Sequence, residues 1–197
     1  MNAMSLRHPS PPGFFFLVLL LTFVSGTSAS AKYERSLETY LAPDVTLVNQ
    51  DRQPVPLRQL LNSGKPVLLD FIYATCTTIC PVLSAGFSNL QKKLGDEASG
   101  VQFVSVSIDP EHDRPEIMKA YLTRYRARPG WDYLTGTRTD IDQVMHAFDA
   151  YVSDKMSHYP LTLIKVPGKD QWLRIYGLTS TRDLLREYRQ LYPGKAK

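Results

Sequence analysis

The apolar residues of this chain fall into short continuous runs that are typical of buried β-strands. Residues 66–73 and 101–108 are rich in valine, leucine, isoleucine and phenylalanine. Such runs predict strands buried on both faces of a parallel or mixed sheet, because helices cover both sides of those sheets. Further strands are predicted at 131–134 and 161–166, and a last strand at 172–176 returns as the partner of a hairpin.

Between these runs, the apolar residues recur at helical spacing. The spacing predicts helices over residues 81–94, 114–125 and 139–150, followed by a last helix at 181–191. Asp113 is the predicted N-cap of the second helix, because its side chain could accept a hydrogen bond from the first turn. Strands and helices therefore alternate along most of the chain.

The N-terminal part of the domain adds a hairpin, with a short strand at 45–48 and a turn at 49–53. Alternating strands and helices that end in a hairpin and a helix predict an α/β protein with a thioredoxin-like fold. In this fold a central mixed β-sheet is flanked by helices, here with an N-terminal β-hairpin. We assign residues 45–197 to this domain and expect the charged residues 32–44 to be a spacer.

Residues 1–31 have the pattern of a signal peptide or an N-terminal anchor. Arg7 precedes an apolar run at 14–24, and small residues follow as far as Ala31. The run is about half of the roughly 20 residues that span a bilayer, so cleavage before Lys32 is favoured over an uncleaved anchor. We expect an exported protein, either periplasmic or anchored to the outer face of the inner membrane.

The composition is that of one globular domain and narrows the classes of partner. The chain has 197 residues, of which 43% are hydrophobic and 21% charged, so a packed core is expected. The net charge of +4 comes from 23 lysines and arginines against 19 acidic residues, and the basic residues are scattered. Because the basic residues do not form a stripe, the charge pattern gives no indication of a nucleic-acid partner. Membrane association is expected only through the N-terminus.

The two cysteines carry the strongest chemical signal. Cys76 and Cys80 are the only cysteines of the chain, and they directly follow the predicted strand at 66–73. A disulfide that closes so short a loop stabilises little, so redox or metal chemistry is favoured over structural pairing. The start of the next helix favours a thiolate. Because a thiolate is both the nucleophile in disulfide exchange and a metal ligand, the spacing leaves both uses open.

Two thiolates leave a Cu(I) or zinc ion in need of a further ligand, and the histidines are the candidates. His158 precedes the strand at 161–166, whose start lies beside the cysteine loop in a thioredoxin-like sheet. We therefore interpret His158 as the third ligand. His112 lies in an acidic loop and His146 within a helix, and both are interpreted as surface or core residues. His8 leaves with the signal peptide.

Three motifs in the chain resemble those of the Sco/SenC family of copper chaperones. Residues 71–81, FIYATCTTICP, resemble the Cys-x-x-x-Cys-Pro site of that family. Residues 107–116 resemble its Asp-Pro loop, and residues 131–136 resemble its Trp-x-x-Leu-Thr-Gly element. All three occur in order, with a histidine before the last hairpin, which makes the combination specific. The resemblance covers approximately residues 45–191.

The resemblance implies that Cys76, Cys80 and His158 bind copper, as Cu(I) and with Cu(II) as a second state. It also implies a role in maturing the binuclear copper centre of cytochrome c oxidase. The implied partners are the copper-site subunit of that oxidase or another copper recipient, a copper donor and a thiol reductant. A metallochaperone is thus favoured over an enzyme.

Pro160 departs from the Sco pattern, so thiol-disulfide exchange remains a candidate function of the cysteines. Thiol-disulfide oxidoreductases of the thioredoxin superfamily carry a cis-proline there, facing the active cysteine, whereas an ordinary trans-proline at a strand start is the other interpretation. The alternative function is a thiol-disulfide oxidoreductase in which Cys76 and Cys80 reduce cysteines of a partner protein. A thiol peroxidase is disfavoured, because Tyr73 stands where peroxiredoxins have a proline.

Overall fold

The buried runs of the sequence form the middle of an eight-stranded sheet. The computed structural model describes Met1 and residues 33–194, so the predicted signal or anchor segment, apart from Met1, lies outside the described residues. The strands are β1 (Glu34–Thr39), β2 (Thr46–Asn49), β3 (Pro54–Pro56), β4 (Val67–Ile72), β5 (Gln102–Ser107), β6 (Trp131–Thr135), β7 (Leu161–Lys165) and β8 (Gln171–Tyr176). The helices are α1 (Leu57–Leu61), α2 (Cys80–Leu94), α3 (Pro115–Arg124), α4 (Arg138–Ala147) and α5 (Thr181–Leu191), with two short 3-10 helices, η1 (Gly95–Gly100) and η2 (Lys155–Ser157).

The strands are ordered β1-β8-β7-β4-β5-β6-β2-β3 across the sheet. The neighbours β4, β5 and β6 run parallel, and the other neighbouring pairs are antiparallel. This mixed sheet with its helices is the thioredoxin-like α/β fold that the sequence predicts. The predicted N-terminal hairpin is also confirmed, as β2 paired with β3.

Helices cover both faces of the central strands. Phe87 of α2 packs edge-on against Phe103 of β5, with ring centroids 5.4 Å apart. Phe148, directly after α4, packs against Phe71 of β4, with ring centroids 6.2 Å apart. Phe103 pairs with Leu68 of β4, and successive residues of a strand point to opposite faces, so Phe71 lies on the face opposite Phe103. All residues of β4 and β5 are accordingly buried.

The segment at 32–44, predicted as a spacer, contains an edge strand instead. Residues Glu34–Thr39 form β1, which pairs antiparallel with Gln171–Tyr176 along its whole length. None of the side chains of β1 is buried. The strand is therefore held by backbone pairing rather than by burial, and its sequence carries no apolar pattern from which it could be predicted.

Asp113 does not cap α3, in contrast to the prediction. The N-cap position is Arg114, and no side chain accepts a hydrogen bond there. The Asp113 carboxylate is instead completely buried and accepts hydrogen bonds from the hydroxyls of Tyr133 at 2.6 Å and Ser107 at 2.7 Å. It also accepts from the backbone N–H of Ala74 at 3.1 Å. These three donors draw the side chain into the interior, away from the helix start.

Among the helices of the described residues, none has both the length and the apolar character needed to span a bilayer.

Asp70 is a buried carboxylate in the middle of β4. The residue is 0% exposed, and neither of its carboxylate oxygens has a hydrogen-bond partner within the part of the chain that the structure describes. Burial raises its pKa to about 7, although the facing hydroxyl of Ser105 opposes the shift. Folding therefore favours protonated Asp70.

Because Asp70 is buried, we expect it to lower the free energy of unfolding as the pH rises. Between about pH 4 and pH 7 the unfolded chain releases the Asp70 proton while the folded protein keeps it, so stability falls by up to about 1.4 kcal/mol per pH unit and then levels off. Asp70→Asn should remove this dependence. The difference in unfolding free energy between the variant and the unaltered protein, measured with urea, should grow over this range.

Asp170→Asn removes one exposed carboxylate from the hairpin turn and serves as the matched control. A difference for Asp70→Asn that stays constant from pH 4 to pH 8 would contradict this account of the buried carboxyl.

Candidate metal and thiol site

The site forms where the end of β4 meets the start of β7. Strand β4 ends at Ile72, and the chain then passes through Cys76 to Cys80, the first residue of α2. β7 runs antiparallel to β4, with Thr162 opposite Asp70. The residues just before β7 therefore reach the end of β4, and His158 is brought to the cysteine loop as the sequence predicts.

The two thiols and the imidazole lie close enough to hold one ion. The Sγ atoms of Cys76 and Cys80 and one ring nitrogen of His158 all lie within 4.8 Å of one another. Cys80 Sγ is 3.2 Å from His158 Nε2, and the Cys80 backbone N–H donates to Cys76 Sγ at 3.5 Å. Cys76 is 6% exposed and Cys80 0%, whereas His158 is half-buried.

A backbone contact fixes the orientation of the His158 ring. Its Nδ1–H donates to the carbonyl of Lys155 at 2.7 Å, a bond that assigns the proton to Nδ1 and leaves the Nε2 lone pair facing Cys80. Tyr73 packs edge-on against the ring, with ring centroids 5.1 Å apart. Burial lowers the pKa of His158, while the bond to the carbonyl acts in the opposite sense. The neutral ring is the form that binds metals.

The two thiols have different proton affinities. Burial raises the pKa of Cys76, but hydrogen bonds from the Cys80 side chain and backbone and from Thr78 outweigh it and bring the pKa to about 7. Burial, together with the hydrogen bond to Cys76, raises the pKa of Cys80. At neutral pH Cys76 therefore has thiolate character, and Cys80 is its proton-bearing partner.

The segment before His158 is held by side-chain contacts that no pattern in the sequence indicates. Lys155 Nζ donates to Asp109 Oδ2 at 2.5 Å and lies 5.4 Å from the centre of the Tyr73 ring. The Tyr73 hydroxyl donates to Met156 Sδ at 3.4 Å. No spacing signal in the sequence relates these residues, because they meet only after β4 and β7 pair.

The other histidines in the described part of the chain do not reach the site. His112 bonds to Asp109 at 2.9 Å, and His146 stacks on Tyr151 with ring centroids 4.1 Å apart; both histidines are exposed. This agrees with their interpretation as residues outside the metal site. Pro160 follows a trans peptide bond, so of the two interpretations left open by the sequence the ordinary trans-proline is the one observed.

Comparison with known proteins decides the family. The SCO1/SenC family model matches residues 34–164, two thirds of the chain. The chain belongs to the SCO1/SenC family. The matched segment includes both cysteines and His158, and it begins at β1, the strand that the motifs did not reveal.

Individual Sco relatives extend this match. The chain is 38% identical to the SCO1 protein homolog of Bacillus subtilis over 116 residues, which are 57% of this chain and 59% of that relative. It is 32% identical over 106 residues, 53% of this chain, to a Stutzerimonas stutzeri protein provisionally named as copper-binding. The aligned part spans only 50% of that second relative.

Among solved structures, BsSco superimposes with a TM-score of 0.66 at 29% identity, covering 81% of this chain and 98% of that structure. BsSco is described as a member of the Sco family of cytochrome c oxidase assembly proteins that carries a disulfide switch.

The unequal thiols predict site-selective alkylation of the reduced protein. The rate of Cys76 modification by iodoacetamide should rise with a midpoint near pH 7, because the thiolate is the reacting form. Cys80 should stay unmodified at pH 7, and Cys76→Ser should therefore be nearly unreactive. Peptide mass spectrometry after timed quenching gives both rates. A Cys76 midpoint near 9, or faster reaction of Cys80, would show that the assignment is wrong.

Proposed function

We propose that this Sco protein is a copper chaperone that binds one Cu(I) ion through Cys76, Cys80 and His158. The observation that supports the proposal is the convergence of two sulfurs and one imidazole nitrogen within 4.8 Å at a largely buried position. Thiolates are soft ligands that favour Cu(I), and imidazole completes a three-coordinate site. Binding requires Cys80 to lose its proton, so uptake of Cu(I) releases protons.

The copper would serve the binuclear centre of cytochrome c oxidase, with the copper-site subunit of that enzyme as the recipient. Membership of the SCO1/SenC family supports this part of the proposal, and BsSco is described as belonging to a family of cytochrome c oxidase assembly proteins. A copper donor and a thiol reductant complete the set of partners. Residues 1–31 have the pattern of an export signal, so we place the protein outside the cytoplasm, free or anchored there.

Replacement of His158 tests the ligand set. The reduced His158→Ala variant should bind Cu(I) at least about tenfold more weakly than the unaltered protein, because the ion loses one of its three ligands. Competition with bicinchoninate measures the affinity. His146→Ala, which removes an exposed histidine that stacks on Tyr151, is the matched control and should bind normally. Equal affinities for both variants would rule out His158 as a ligand.

Thiol-disulfide exchange is the second candidate function, and the low pKa of Cys76 beside protonated Cys80 favours it. The Cys76 thiolate would attack a disulfide of the recipient, forming a mixed disulfide and releasing one recipient thiolate. Cys80, after losing its proton, would attack Cys76 Sγ. The recipient then leaves with two thiols, and the protein holds a Cys76–Cys80 disulfide, which an external dithiol must reduce.

This second function predicts activity without copper. With a copper chelator present, reduced His158→Ala should reduce an oxidised peptide that carries the recipient cysteine pair as fast as the unaltered protein does. Cys80→Ser should accumulate the mixed disulfide, because the attacking thiolate remains while the resolving thiol is lost. Mass spectrometry of acid-quenched samples detects both species. If neither peptide reduction nor a trapped mixed disulfide is found, exchange is not a function of the site.

A further inference from the structure

Met156 is an exposed soft ligand beside a site whose own sulfurs are buried. Its side chain is 72% exposed, whereas Cys76 is 6% exposed and Cys80 is 0% exposed. An exposed methionine contributes little to the hydrophobic core, so packing does not account for its position. It lies two residues before His158, within η2.

Hydrogen bonds hold both the backbone and the side chain of Met156 in place. Its backbone N–H donates to the side chain of Asp154 at 2.9 Å, which caps η2. Its Sδ accepts a hydrogen bond from the Tyr73 hydroxyl at 3.4 Å. Tyr73 is 4% exposed, and its ring packs against the His158 ring, with centroids 5.1 Å apart. The thioether therefore sits at the solvent-facing rim of the candidate site, joined to it through a buried tyrosine.

The chemistry of the thioether fits this position. A methionine sulfur is a soft, uncharged ligand that favours Cu(I) over the harder cations, and it needs no deprotonation to bind. The Met156 side chain is exposed while both cysteines are buried, so a donor protein has readier access to this residue than to the cysteine thiols. Release to a recipient would follow the same path in reverse.

We propose that Met156 is a relay ligand, which takes Cu(I) from a donor and passes it to the cysteines and His158. The inference rests on the proposed copper-chaperone function. Transfer is ligand exchange without a change in oxidation state: a Cu–Sδ bond forms as a donor ligand leaves, and it breaks as the thiolates bind. The Cys80 proton goes to solvent, because Cys76 already has thiolate character at neutral pH. A relay changes the rates of uptake and release together and leaves the stable site intact.

Stopped-flow transfer of Cu(I) from its bicinchoninate complex to the reduced protein measures both rates. Met156→Leu keeps the size and apolar character of the side chain and removes the sulfur. It should slow uptake, and also release back to bicinchoninate, by about tenfold, with the stoichiometry at one and the affinity within about twofold. Val82→Ala shortens another exposed apolar residue, two positions after Cys80, and should leave both rates unchanged.

A direct readout uses protein labelled with ¹³C at the methionine methyl groups. The Met156 signal, identified by its absence in Met156→Leu, should shift when Cu(I) is added to a Cys76→Ser/Cys80→Ser double variant, which lacks both thiolates and keeps Met156 and His158. The buried Met118 and Met145 are internal controls and should not shift. Unchanged transfer rates in Met156→Leu, slowing by Val82→Ala to the same extent, or an unmoved Met156 signal would each overturn the relay. If the unaltered reduced protein takes up no Cu(I), the chaperone function itself fails and the relay fails with it.

Discussion

The antiparallel pairing of β7 with β4 is the constraint on which the site depends. Cys80 and His158 are 78 positions apart in the sequence, and no local interaction could bring them together. Pairing Thr162 with Asp70 fixes the register, so the chain before β7 arrives at the same edge of the sheet as the cysteine loop after β4. A parallel β7 would place His158 at the opposite edge.

The interior around this pairing also sets the charge state of the site. Burial keeps the His158 ring neutral and Cys80 protonated, while local hydrogen bonds give Cys76 thiolate character. The apoprotein thus holds one negative charge near a half-buried imidazole, and a monovalent soft cation can replace the Cys80 proton without adding net charge. Asp113 supports the same loop, because it accepts the Ala74 N–H two residues before Cys76.

Much of the fold could be predicted because burial leaves a pattern in the sequence. β4 and β5 are buried on both faces and appear as continuous apolar runs, and the lone cysteines directly after β4 mark the site. Edge strand β1 has no such pattern, because none of its side chains is buried and it is held mainly by backbone pairing with β8. His158 could be chosen from its place before β7, but only once a thioredoxin-like sheet was assumed.

The contacts around the candidate ligands could not be predicted. The sequence predicts Asp113 as a helix cap, since a sequence window does not show that Tyr133 and Ser107 face it in the interior. The bond from Tyr73 to Met156 likewise joins residues 83 positions apart and has no motif. Such polar contacts depend on the register and depth of neighbouring strands, which tertiary pairing determines and local propensity does not.

X-ray absorption of the reduced protein loaded with one equivalent of Cu(I) tests the central claim most directly. The account predicts two sulfur ligands and one imidazole nitrogen at each copper, from Cys76, Cys80 and His158. The imidazole contribution should vanish in His158→Ala while both sulfurs remain. A copper ion bound only by nitrogen and oxygen, or an imidazole contribution that persists in that variant, would contradict the site described for this chain.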